Sequence, residues 1–113
     1  LAINQTLDRY ERARVLGVVG ALSFNGERTR VRLSAPQARD EALTLRFVHP
    51  TRAGLDQAVR LSRIGGGLYE GAMTTPALGH WHLALEDDAG TWRITGVWSP
   101  SEDAARLEPS ALR

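Results

Sequence analysis

Seven short stretches that alternate apolar and polar residues, spaced about ten residues apart, constrain this chain more than any other feature. They run over residues 18–24, 28–34, 42–49, 57–64, 68–74, 80–86 and 91–98. The breaks between them carry turn chemistry: Asn25-Gly26, Ala35-Pro36, the HPTRAG segment from His49, Gly65-Gly66-Gly67, the TTPALG segment ending at Gly79, and Asp88-Ala89-Gly90. No helical pattern separates them, so the spacing predicts an all-β chain, an antiparallel β-sandwich of about seven strands.

Alternation also assigns faces, because successive side chains of a strand point to opposite sides. Leu43, Leu45 and Phe47 share one face and belong to the core, and His49 falls on the same inward parity. Trp81, Leu83 and Leu85 point inward, leaving His80, His82 and Ala84 outside; Trp92, Ile94 and Trp98 point inward, leaving Arg93, Thr95 and Val97 outside. The segments ALED and TWRI flank Asp88-Ala89-Gly90 and predict a hairpin, with Gly90 suited to a positive φ.

Ahead of the strands, residues 1–17 read as a short helix. Its best-marked part is about ten residues long, from Asp8 and Glu11, which resemble a capping box, to Gly17, a natural C-cap. Residues 18–99 then form the sandwich, and residues 100–113, which lack a strong apolar face, form a flexible tail.

A length of 113 residues fits one domain with its own core. There is no cysteine, which excludes disulfides, thiolate nucleophiles and Cys-ligated zinc. Fourteen arginines, with no lysine, stand against thirteen acidic residues; a net charge of +1 makes no electrostatic case for nucleic acid. No apolar run approaches the roughly 18 residues that cross a bilayer. The chain nonetheless begins at Leu1 without methionine, so a membrane anchor upstream is an open expectation.

Candidates for chemistry are few. His80 and His82, two apart on a strand, would lie about 6.5–7 Å from each other on one face, near enough to converge on an ion. Two ligands make a thin site, and the single methionine, Met73, would complete one suited to a soft ion such as Cu(I), with His49 a further possible ligand. The simpler reading is a solvated strand face for the histidines and a core role for Met73. His49, Pro50, Arg52 and Asp56 cluster in the HPTRAGLD loop, either as a structural knot in which Asp56 caps backbone amides and His49 donates to a carbonyl, or as a partner-binding loop. Exposed Arg46 and Arg60 are further contact candidates. Glu86, Asp87 and Asp88 read as a solvated acidic run beside a turn, and no nucleophile elbow or phosphate-binding glycine motif is present, so no catalytic residue is assigned.

The segments NQTLDRYERARVLG, ALTLRFVHPTRAGLD, GGGLYEGAM and GHWHLALEDDAGTWRITGVW together resemble the FixH family over residues 4–98. The resemblance rests on His49-Pro50 with Asp56, on Gly67, Tyr69 and Gly71, and on Gly79, Trp81 and Leu83 followed by the Trp92 strand. It implies an immunoglobulin-like domain, placed on the periplasmic side of the bacterial inner membrane by one N-terminal transmembrane helix. On that view residues 1–17 are the stalk that follows a removed anchor. It also implies a non-enzymatic role in assembly of a cbb-type heme-copper cytochrome oxidase, with oxidase subunits or a copper-transporting P-type ATPase as partners. The family supplies no agreed metal ligands. A copper-relay domain, and a small-molecule-binding or purely structural sandwich, stand as alternatives.

Overall fold

A computed structural model describes residues 2–25, 27–34, 40–72 and 79–109. One helix, α1 (Ala2–Leu16), precedes eight strands: β1 (Gly20–Asn25), β2 (Arg28–Leu33), β3 (Ala42–Val48), β4 (Gln57–Gly65), β5 (Leu68–Ala72), β6 (Trp81–Asp87), β7 (Arg93–Trp98) and β8 (Ala104–Leu107). The all-β class and the seven expected strands are present, each within a few residues of its expected bounds.

All strand pairs are antiparallel, and the order β7-β6-β3-β4-β5-β2-β1-β8 is one continuous ladder rather than two separate sheets. The ladder folds over on itself until its ends touch: Thr95 of β7 and Glu108, just past β8, exchange backbone hydrogen bonds at 3.0 Å in both directions. The result is a flattened, barrel-like sandwich that leaves little open edge.

Residues 100–113 are expected to be a loose extension, and for the described part, up to residue 109, that reading fails. β8 lies there and pairs with β1 from Gly20↔Leu107 to Ser23↔Ala104. The tail is tied before it reaches β8: the Trp98 indole N–H donates to the Glu102 carbonyl at 2.8 Å, and Ser99 N–H donates to the Glu102 carboxylate at 2.9 Å. Only Leu107 and, in part, Ala105 enter the core, too few apolar residues for alternation to announce a strand.

The inward face is as the parity predicted, but Ala84, expected outside, is buried as well. Leu43, Leu45, Phe47, Leu83, Leu85 and Ile94 are buried, and Trp98 packs 4.6 Å from Phe24 and edge-on to Phe47 at 5.9 Å between ring centroids. The Asp88-Ala89-Gly90 hairpin also forms, with Gly90 at φ 71° and Glu86 opposite Arg93.

The helix begins at Ala2, so Asp8 sits inside it rather than capping it. Its C-terminus ends as expected, in a Schellman motif: Gly17 (φ 72°) donates to Arg14 O at 3.1 Å and Val18 to Ala13 O at 2.9 Å. Ala13 and Val18 are both buried at this corner, which turns the chain into β1 and lays the second half of the helix against β7.

Candidate partner-docking face

The rim of the sandwich is organised by His49. Its backbone N–H donates to Asp56 Oδ1 at 2.9 Å, and its ring Nδ1 accepts from the amides of Thr51 (3.2 Å) and Arg52 (3.1 Å). These bonds assign the ring hydrogen to Nε2. The imidazole stands edge-on to Trp81 at 5.1 Å, beside Gly79, whose φ of 130° is one that side-chain-bearing residues rarely adopt. Asp56 therefore caps an amide as expected, whereas His49 accepts from backbone amides instead of donating to a carbonyl. With Nδ1 committed to the loop, this cluster holds residues 49–56 in shape, leaving Pro50, Thr51 and Arg52 exposed at its tip.

The two outward histidines part company. His80 is exposed with Nδ1 2.7 Å from Ser99 Oγ. His82 is exposed on the outer face between Val48 of β3 and Val97 of β7, its direct cross-strand neighbours. His49 lies on the opposite parity against Trp81, and Met73 falls outside the described residues. Among the described residues no group of three or more His, Cys, Asp or Glu side chains is placed to hold a metal ion.

What the outer face does form is a groove of about 750 Å³ between α1 and the sheet. Tyr10 of the helix walls one side; Val48, His82 and Val97 make a row across three strands; Arg93 lines it from β7, and Arg106 and Glu108 close the far end. Val97 is 66% exposed, the second most exposed large apolar side chain among the described residues. Its odd parity was the signal available in the sequence, a valine on a face reserved for polar residues. The helix wall was not legible there, because nothing in the sequence says which strands α1 covers.

The helix is held over the groove by a carboxylate. Glu86, only 7% exposed, accepts from Arg9 of α1 at 2.8 Å and from Arg46 of β3 at 3.0 Å, and Arg93 stands directly opposite it on β7. Burial pushes the Glu86 carboxyl up, but the bonds from Arg46 and Arg9, with the charges of Arg9 and Arg93, together hold it below its ordinary range.

Of the acidic run expected to be solvated, Asp88 is exposed but Glu86 and Asp87 are buried. Asp87, 6% exposed, accepts from the amides of Thr91 (2.9 Å) and Trp92 (3.1 Å) and from the Thr91 hydroxyl, which braces the hairpin. Asp88 pairs with both terminal nitrogens of Arg60 at 2.5 and 2.6 Å. Arg46 and Arg60, expected as contact residues, are partly exposed but committed to these ion pairs.

The FixH family model matches residues 1–99. The chain belongs to the FixH family. FixH proteins have an accessory role related to maturation of the cbb-type oxidase. No curated protein and no solved structure is significantly similar to the chain. The residues that carried the FixH resemblance have structural reasons to be there. Gly67 turns at φ 72° under the Leu33 carbonyl, where a Cβ would come within 2.8 Å. Tyr69 is fully buried and donates to Asp40 O at 2.6 Å, and a Cβ on Gly71 would meet the Arg60 carbonyl at 2.4 Å. They build the FixH scaffold, and of the residues that carried the resemblance Leu83 also lines the groove.

Among the described residues no helix is long and apolar enough to cross a membrane.

Proposed function

We propose that this chain is a non-enzymatic accessory protein in the maturation of a cbb-type heme-copper oxidase, acting by contact with oxidase subunits or with a copper-transporting P-type ATPase on the periplasmic side of the inner membrane. The observation that supports contact as the mode of action is the open groove on a FixH chain, lined by Tyr10 and Arg93, residue types that interfaces favour, and by the exposed Val97. The rim loop adjoins it, since Val48 of the groove precedes His49, and its exposed Pro50 and Arg52 extend the same contact surface. The test is deletion of the gene in a bacterium that depends on this oxidase, with the tagged full chain supplied back. Loss of assembled oxidase on deletion, restored by the tagged chain co-purifying with a partner, is expected. Normal oxidase assembly in the deletion strain would overturn the reading.

A copper relay is the second reading, on the exposure of both His80 and His82, with Met73 the third ligand that the sequence offers. A relay must hold Cu(I) and release it, which suits a two- or three-ligand exposed site. Anaerobic Cu(I) competition with His80→Ala and His82→Ala variants decides it: tight binding lost in both variants supports the relay, and weak background binding alone removes it.

A further inference from the structure

We infer that the groove receives a segment of a partner protein in which an acidic side chain is flanked by apolar ones, the carboxylate pairing with Arg93 and the apolar side chains covering Val48 and Val97. The inference rests on the contact reading above and adds the chemistry of the occupant.

Charge decides the acid. Arg9, Arg46 and Arg93 surround the single carboxylate of Glu86, three positive charges against one. Glu86 spends its oxygens on Arg9 and Arg46, so Arg93 is the one left over: its Nε is buried without a hydrogen-bond partner, and no carboxylate of the described residues lies within 4.0 Å of its guanidinium. The other charges nearby are already matched. Arg106 pairs with Glu108 at 3.5 Å, and Asp88 is taken by Arg60. Arg93 acts on Glu86 through its charge alone, with no close ion pair of its own, and a planar donor fork of this kind is best completed by a carboxylate.

Shape and polarity decide the flanks. The row Val48–His82–Val97 crosses three strands on the outer face, with Val48 half-buried and Val97 exposed on either side of an exposed imidazole. A free small carboxylate would satisfy Arg93 and leave this row wet; a second copy of the chain would bring its own excess of arginine to the same place.

The test is photo-crosslinking in cells that make the oxidase, with benzoylphenylalanine replacing Val97 of the full chain and, as a control, Ser23 on the exposed face of β1. The expected adduct at position 97 is a peptide of another protein that holds Asp or Glu beside apolar residues. Arg93→Glu, placed in the same chain, is expected to lower its yield at least about tenfold, and Asp or Glu→Arg in the partner segment to restore it. Restoration requires a folded chain, so it separates lost pairing from lost fold. In a pull-down of that segment, Val97→Arg, a change at an exposed position, is expected to weaken capture by a similar factor. An adduct whose segment lacks an acid, a yield indifferent to Arg93→Glu, an adduct with a second copy, or no adduct at position 97 would each overturn the inference. If oxidase assembly still fails on deletion, the contact function survives that result; if assembly is normal on deletion, the function falls whatever the groove captures.

Discussion

Glu86→Gln is the change from which the most can be learned about how the docking face is built. The substitution keeps size and one acceptor oxygen but removes the charge from a position 7% exposed, where two arginines donate to it at 2.8 and 3.0 Å. One of those donors will then face an amide N–H instead of an oxygen. Removing one partner of a fully buried ion pair costs about 3–5 kcal/mol; Arg9 and Arg46 are 24% and 49% exposed, so water relieves part of this, and we expect about 2 kcal/mol. In a domain of this size that is roughly 8 °C in the unfolding midpoint. The pH dependence follows from the sign. Glu86 titrates below its ordinary 4.5 in the fold, so its contribution is complete above the unfolded value and is lost as pH falls through the lower, folded one. The stability gap between wild type and Gln should therefore be constant near neutrality, narrow below about pH 4.5, and close in strong acid. Urea unfolding at several pH values measures it. Amide exchange adds the location: the second half of α1 should exchange faster in the variant, because Arg9 is its tie to the sheet. A gap that stays the same from pH 7 to pH 3, or a variant as stable as wild type, would refute the account of Glu86 as the helix anchor.

Four further changes probe other parts of the molecule. Gly96→Ala would set a Cβ 2.2 Å from the Arg106 carbonyl, so β8 must shift, and a loss of about 2–3 kcal/mol in urea unfolding is expected. Thr29→Val should raise stability by about 1 kcal/mol, because the Thr29 hydroxyl is fully buried with no hydrogen-bond partner among the described residues; a lower midpoint would show that the hydroxyl is satisfied. Asp40→Asn should stabilise slightly at pH 7: burial and the nearby Asp87 raise the Asp40 carboxyl, so its charge opposes folding above the raised value, and the gain should vanish below about pH 3.8. His49→Ala removes the acceptor for two loop amides at a cost of about 1 kcal/mol, and amide exchange in residues 50–56 should quicken.

The sequence was most informative where a local rule suffices. Period-two alternation placed Leu43, Leu45, Phe47, Trp81, Leu83 and Ile94 inside and His80, His82 and Val97 outside, because side-chain direction in a strand follows position alone. Gly17 and Gly90 marked a helix end and a hairpin because a positive φ is a backbone requirement of the residue itself. It was least informative about partners. Asp87 and Asp88 look solvated in a list of residues, and only the fold brings Arg60, Thr91 and Trp92 to them. Glu86 is read as surface charge until Arg9, 77 positions away, is laid across it.

The sequence by itself therefore determined the class of the fold, the strands up to Trp98, their inward faces and the turns between them, all of which depend on neighbours a few residues apart. The tertiary structure decided the eighth strand, the closure of Thr95 on Glu108, the helix over β7 and the groove beneath it with the unmatched charge of Arg93. The reason is physical: the stretch after Trp98 and the outer face of the helix carry too few apolar residues to announce themselves, and they are held by hydrogen bonds and ion pairs whose two halves lie far apart in the chain.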